Sequence, residues 1–286
     1  MSTDRVWFIT GASTGFGRHL AELVLQKGEK VVATARRPSV LDALVSQYPA
    51  DRLLVLKVDV NIKQEILDAF AATKDKFGRL DVVANNAAYN VLGELESVPE
   101  EIGRALFETN FWGAVTVSRE AVKFFREVNP PGVGGRLLQI SSISGLVGGA
   151  GLAYYSASKH ALEGLFESLA AELDPAWNIK VTLVEPASFA TEGIAKTVWV
   201  PAHPAYSNPD LPATRMRNGW AKYDPSGDVK KAVEAIYNVS SLSDPPLRLV
   251  LGEVAFAYLR KKLTALTADT NKYESWSQNL QKDPRA

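Results

Sequence analysis

Short apolar and β-branched runs alternate with longer segments in which apolar positions return every three or four residues. "RVWFIT" (5–10), "KVVATA" (30–35), "RLLVLKV" (52–58), "LDVVAN" (80–85), "RLLQIS" (136–141) and "IKVTLVE" (179–185) read as strands. In the segment 16–27, Phe16, Leu20, Leu23, Val24 and Lys27 fall on one side of a helix. Further helices are predicted at about 39–47, 62–77, 99–128, 153–174 and 227–239, and a further short strand at 247–251. The strands are apolar almost throughout and need cover on both faces, and their alternation with helices predicts a parallel sheet. Right-handed crossovers then give an α/β fold with a doubly wound, mainly parallel sheet and helices on both faces.

One stretch breaks the alternation. From Pro186 to Pro225 the chain is rich in proline and aromatic residues, as a lid or binding loop would be. No linker interrupts the pattern, so 1–286 reads as one domain, with 187–225 as a substrate-binding lid and 253–286 as a helical extension. Lys plus Arg and Asp plus Glu both number 32, so no global basic field points to nucleic acid. Cysteine is absent, which excludes thiolate catalysis and disulfides and fits a reducing compartment. His19, His160 and His203 have no metal-ligand spacing, so no metal site is expected. No apolar run is long enough to span a membrane and no signal-type leader is evident, so a cytoplasmic protein is expected. The basic run Arg260-Lys261-Lys262 reads as a solvated helix face.

The turn "TGASTGFG" (10–17) joins the first strand to the first helix. Gly11, Gly15 and Gly17 permit a tight turn and close backbone approach, and Ser13, Thr14 and Phe16 share the turn. The helix N-terminus behind it suits a pyrophosphate. An acidic residue that binds the adenosine ribose is usual about 20 residues after such glycines. Here the second strand ends in Ala35 and is followed by Arg36 and Arg37, which suit a 2′-phosphate. This favours NADP(H) over NAD(H), with Arg36 as the principal contact; the alternative is that both arginines are solvated turn residues. Asp59 and Val60 end the third strand, where Asp59 either meets an adenine amino group or caps the next helix. Asn86 and Ala87, in "NNAA" (85–88), end the fourth and border the same cleft.

Tyr155 stands four residues before Lys159 in "YYSASKH", on one helix face. A second Tyr-x-x-x-Lys, Tyr258 and Lys262, shows that the spacing alone decides nothing. The surroundings differ. Ser142, at the end of the fifth strand, lies thirteen residues before Tyr155, and Asn110 interrupts a helical pattern upstream. The second pair has Pro245 in the place of that serine and reads as a helix surface.

Together "TGASTGFG", "NNAA", Asn110, "ISS" and "YSASK", in this order and spacing, resemble the short-chain dehydrogenase/reductase family, of single-domain Rossmann type, over about residues 5–255. The resemblance implies a carbonyl–alcohol oxidoreductase with a catalytic set of Asn110, Ser142, Tyr155 and Lys159. Tyr155 would be the general acid or base. Lys159 would lower its pKa and bind the nicotinamide ribose, as Tyr155 would also contact the cofactor. Ser142 would steady the substrate oxygen, and Asn110 would hold a relay water. Pro186, Ser188 and Thr191, after the sixth strand, would complete the cofactor cleft, with Thr191 at the nicotinamide carboxamide. Ala88 and Ala187 replace glycines usual in the family, which puts the local loop geometry in question. Tyr154 and His160 should point off the active face. Relatives form dimers or tetramers, so a homo-oligomer is implied. The aromatic lid suits a medium-to-large, mainly apolar small-molecule substrate, with Ser144, Phe189, Trp199, Tyr206 and Trp220 as candidate contacts. Arg215 or Arg217 leaves a charged substituent open. Two other classes compete: a nucleotide-binding sensor or non-redox catalyst on this fold, and a serine hydrolase. The hydrolase lacks a "G-x-S-x-G" elbow and a placed histidine.

Overall fold

The structure is a computed structural model that describes residues 5–191, 196–220, 222 and 225–282. The first half contains β1 (Val6–Ile9), α1 (Gly15–Gln26), β2 (Lys30–Ala35), a short α2 (Asp42–Val45), β3 (Leu53–Lys57), α3 (Lys63–Phe77), β4 (Val82–Asn85), a two-residue β5 (Val91–Leu92), α4 (Glu100–Phe107) and α5 (Ala114–Glu127). The second contains β6 (Gly135–Ile140), α6 (Ala153–Glu172), β7 (Ile179–Pro186), a two-residue β8 (Val198–Trp199), α7 (Pro212–Trp220), α8 (Val229–Val239), β9 (Arg248–Leu251) and α9 (Glu253–Tyr273).

Seven strands form one sheet in the order β3-β2-β1-β4-β6-β7-β9, every neighbouring pair parallel. The period-two alternation divides the core. Val6 and Phe8 of β1 pack with α3, α5 and α6, whereas Trp7 and Ile9 pack with α1 and α8 on the other face. The chain runs outward from β1 to β3, then returns to β4 and runs the other way. Between β1 and β4 the order reverses, and in such sheets the crevice at the strands' carboxyl ends is where ligands bind.

Two expectations are corrected. The predicted continuous helix over 99–128 is broken by a π-helical segment, Glu108–Gly113, which contains Asn110. Such widened turns inside helices are frequent at functional sites. The stretch 187–225 is also more ordered than its composition suggests. Its described part holds β8, which pairs in parallel with β5 (Val91↔Val198, Leu92↔Trp199), and helix α7, opened by Pro212. Proline fits a helix start, where its missing N–H is not needed. Tyr223, counted among the lid aromatics, lies outside the described residues.

Helix α9 projects from the body with only Ala255 buried, and Arg260, Lys261 and Lys262 are exposed as expected. Among the described residues no helix is long and apolar enough to cross a membrane.

Candidate active site

The glycine turn is held from below by the end of β4. Asn86 Nδ2 donates to the carbonyls of Thr10 (2.9 Å) and Gly11 (3.3 Å). The backbone N–H groups of Asn86 and Ala87 both donate to Thr10 Oγ1, at 2.8 and 2.9 Å. Gly11 and Gly15 have φ of 65° and 57°, the region that favours glycine. A Cβ on Gly17 would lie 2.5 Å from the Gly11 oxygen, so the third glycine is needed for close approach. Thr14 precedes α1 in an extended conformation and its side chain does not cap the helix. Instead Thr14 Oγ1 accepts a hydrogen bond from Lys196 Nζ at 3.1 Å. Thr191 packs beside Gly15. A strand, a tight glycine turn, an uncapped helix start and a nearby ammonium fit the pyrophosphate of a dinucleotide.

At the end of β2, Arg36 and Arg37 are both exposed, with no ion-pair partner among the described residues. Arg36 is near enough to Tyr89 to oppose the upward pull that burial exerts on that phenol. Asp59 accepts from the Asn61 N–H at 3.0 Å and its own N–H donates to Glu65 Oε2 at 2.7 Å. It does not cap α3, whose N-cap is Ile62. Val60 is buried against Gly113 of the π segment. Pro186 ends β7 buried, and Ser188 follows it half-buried. Neither Ala88 nor Ala187 has positive φ, so the two alanines introduce no backbone strain of that kind.

The structure brings the four catalytic candidates to the carboxyl end of the sheet. Ser142 follows β6, and its Oγ accepts the Ser144 N–H at 3.1 Å, which fixes the rotamer. Ser142 also lies near enough to the Tyr155 phenol to oppose the upward pull that burial exerts on it. Lys159 is 2% exposed; its Nζ donates to the Ile140 carbonyl at 2.9 Å and lies 5.8 Å from the Tyr155 ring centroid. Asn110 is buried and committed: Oδ1 accepts the Tyr89 N–H (3.0 Å), while Nδ2 donates to the Tyr89 carbonyl (2.9 Å) and to Ser158 Oγ (3.3 Å). Both Nδ2 protons are thus used, and Oδ1 keeps one acceptor site. Tyr154 turns away and packs on Gly103, and His160 is exposed, its Nδ1 2.8 Å from the Ser156 carbonyl oxygen.

The electrostatics correct one expectation. The adjacent ammonium was expected to lower Tyr155. Instead burial raises the phenol, with Ser142 opposing it more weakly. Burial also lowers Lys159 to about 8, and the negative charge of Glu163 limits the fall. Desolvation disfavours the charged form of both groups, so Tyr155 is a neutral acid at neutral pH.

The described part of 187–225 packs beside this centre. Val200 shares a cluster with Val91, Val98 and Leu106, against which Tyr89 and Tyr155 lie. Arg217 pins this stretch: its guanidinium reaches the buried Glu94 (2.7 Å) and the Val200 carbonyl (2.6 Å). Arg217 is therefore occupied within the protein. Trp220 Nε1 donates to Thr197 Oγ1 at 3.2 Å, and Trp199 is 43% exposed. Two further candidates have aromatic partners within the protein. Phe189 stacks edge-on against Phe16 (5.4 Å) and fills the space over Gly227, beside the glycine turn. The Glu96 carboxylate raises the Tyr206 phenol, whose ring meets His203 edge-on. The sequence reading missed Lys196, Glu94 and Glu163. Only Lys196, a lone cation after the aromatic stretch begins, offered a signal.

Residues 5–198 match the family described as short chain dehydrogenase. An uncharacterized oxidoreductase of Schizosaccharomyces pombe is 36% identical, covering 99% of this chain and 94% of its own. Human retinol dehydrogenase 8 is 31% identical, covering 86% of this chain and 81% of its own. A solved short-chain dehydrogenase of Streptomyces avermitilis superposes with a TM-score of 0.88 at 35% identity, covering 98% of this chain and all of its own. A nicotinamide dinucleotide is the cofactor typical of this family, and the glycine turn fits one. With the fold, the ordered site and these likenesses in agreement, the chain belongs to the short-chain dehydrogenase/reductase family and is an oxidoreductase.

Proposed function

We propose that the protein is an NADP(H)-dependent oxidoreductase that interconverts a carbonyl and an alcohol on a medium-to-large, mainly apolar substrate. The observation that carries the reading is Ser142 beside the Tyr155 phenol, with the buried Lys159 ammonium 5.8 Å from the Tyr155 ring centroid. Gly11, Gly15, Gly17 and Thr191 would hold the pyrophosphate and nicotinamide ends of the cofactor, with Lys196 added to them. Arg36 would hold the 2′-phosphate. When bound, the cofactor supplies or accepts the hydride.

The residues of the chain handle the proton. In reduction, the Tyr155 hydroxyl gives its proton to the substrate oxygen, and burial keeps that hydroxyl protonated until it is used. Ser142 donates to the same oxygen and steadies its growing charge. Lys159, poised near 8, is charged at neutral pH and stabilises the phenolate that Tyr155 becomes. Asn110 anchors the Tyr89 backbone and Ser158, and so fixes the π segment beside α6. General acid catalysis of this kind is worth about 10²–10⁴-fold.

The apolar substrate class is supported by Val91, Val200 and Tyr89 near Tyr155 and by the likeness to a retinol dehydrogenase. A homo-oligomer is proposed by analogy with relatives alone. The test is nicotinamide absorbance with NADPH against a panel of aromatic, alicyclic and long-chain ketones, aldehydes and quinones. Turnover of apolar members supports the reading; nucleotide binding without turnover across the panel counts against it.

A further inference from the structure

Behind Lys159, on the side away from Tyr155, three carboxylates meet one guanidinium. Glu163 is one helical turn along α6 from Lys159, and its side chain is 6% exposed. Glu185 of β7 is fully buried. Arg248 of β9 bonds Glu163 Oε2 through Nη1, which also donates to Glu185 Oε1 at 2.9 Å. Its Nη2 donates to Glu167 Oε2 at 3.0 Å, at the rim. Two neutral side chains of β6 and the turn after it, Gln139 and Ser141, are buried beside this cluster. The groups facing Glu163 are thus Lys159 and Glu167 on its own helix, Glu185, Arg248, and these two neutral groups.

The oxygens do not balance. Glu163 Oε1, Glu185 Oε2 and the Gln139 amide oxygen are buried without a hydrogen-bond partner, and the Ser141 hydroxyl, also unpartnered, can supply a proton to only one of these three acceptors. An ionised carboxylate can only accept, and two such charges in one dry site oppose each other strongly. One proton removes the conflict, because it turns one unmatched acceptor into a donor. The site is also coupled to the active centre by contact. A Cβ on Gly145 would lie 2.9 Å from Glu163 Oε1 and 2.8 Å from Ser141 Oγ, so the turn that follows Ser142 rests directly on this carboxylate.

We propose that Glu163 and Glu185 share one proton behind Lys159, and that the charge left on Glu163 keeps Lys159 an ammonium, so that the pair acts as a positioning device for the lysine on which Tyr155 depends. Burial first, and the Glu163 charge second, push Glu185 up to about 7. Glu163 in turn raises Lys159 against the pull of burial. Only the last link, to Tyr155, rests on the oxidoreductase reading.

The direction of each perturbation follows. Glu163→Gln removes the charge facing Lys159, so the lysine loses its proton at lower pH. Glu185→Gln removes the competitor, leaves Glu163 ionised against Arg248, and does not lower Lys159. A merely structural cluster would not separate the two variants in this way.

The first arm needs no substrate: carbon-13 NMR of the full chain labelled at the glutamate carboxyl carbons, followed across pH. One glutamate titrating near neutrality, and lost in Glu185→Gln, supports the shared proton; glutamates that all titrate in the ordinary carboxylate range overturn it. The second arm is the pH profile of kcat with NADPH and any carbonyl compound turned over. In Glu163→Gln the alkaline limb should move to lower pH by about one unit, with partial recovery in Glu163→Asp and no downward move in Glu185→Gln. An unmoved limb in Glu163→Gln overturns the coupling to Lys159. Absence of turnover in the wild-type chain defeats the oxidoreductase reading, and with it the link to Tyr155, and leaves the NMR arm to decide the shared proton.

Discussion

Replacing Lys159 by methionine should abolish turnover while making the fold more stable at neutral pH than the charge-burial penalty now allows. Burial lowers Lys159 from 10.5 to about 8. At 1.36 kcal/mol per pH unit, this is a penalty of about 3 kcal/mol for keeping the side chain charged inside. Below pH 8 the lysine is protonated in both folded and unfolded chains, and the penalty is full. Between about 8 and 10.5 the folded state has released the proton and the unfolded state has not, so the penalty fades as pH rises. Methionine has a similar volume and no charge. It forfeits the hydrogen bond to the Ile140 carbonyl, which costs about 1–3 kcal/mol at every pH. The stability of the variant minus that of the wild type should therefore fall by about 2 kcal/mol between pH 7 and pH 10. Urea unfolding of both proteins at several pH values measures this difference, and groups common to both cancel. A difference that is flat, or that grows with pH, would refute the claim that Lys159 is held charged at a cost.

Three further outcomes are expected. Arg36→Ala should weaken NADPH by about tenfold or more and NADH little, as one lost charge-assisted hydrogen bond implies; equal weakening in fluorescence titrations would place the 2′-phosphate elsewhere. Lys196→Ala should weaken NADPH and NADH alike, because its partner is Thr14 of the pyrophosphate turn; a selective loss of NADPH would move Lys196 to the phosphate on the ribose. Arg217→Ala leaves the buried Glu94 without its cation and should destabilise the fold by about 3 kcal/mol and raise KM, with recovery in the Glu94→Gln/Arg217→Met pair; an unchanged melting temperature would show that this stretch is not pinned there.

The sheet was legible because its strands are apolar on both faces. The predicted 30–35 coincides with β2, and 179–185 differs from β7 by one residue. The break in 99–128 was not legible. The apolar period continues through it, and the π turn is set by tertiary bonds from Asn110 to Tyr89 and Ser158. Asn110 itself was visible as a poor helix former. The placement of Tyr154 and His160 off the active face followed from helical geometry alone. The packing of Phe189 on Phe16 was not legible, because composition locates an aromatic residue in a segment but not the side it turns to. The direction of the Tyr155 shift was missed for a related reason. Spacing places a lysine nearby, but only burial decides whether charge attraction or desolvation dominates. The Glu163–Glu185–Arg248 cluster joins α6, β7 and β9, and no local pattern joins them.

The account stands most directly on Tyr155. The decisive measurement is NADPH consumption by the wild-type chain and by Tyr155→Phe with one apolar carbonyl substrate, alongside NADPH binding to both. The account predicts a loss of about 10²–10⁴-fold or more in kcat with cofactor affinity nearly unchanged, because only a hydroxyl is removed. Comparable turnover by the phenylalanine variant would contradict it and take proton transfer away from Tyr155.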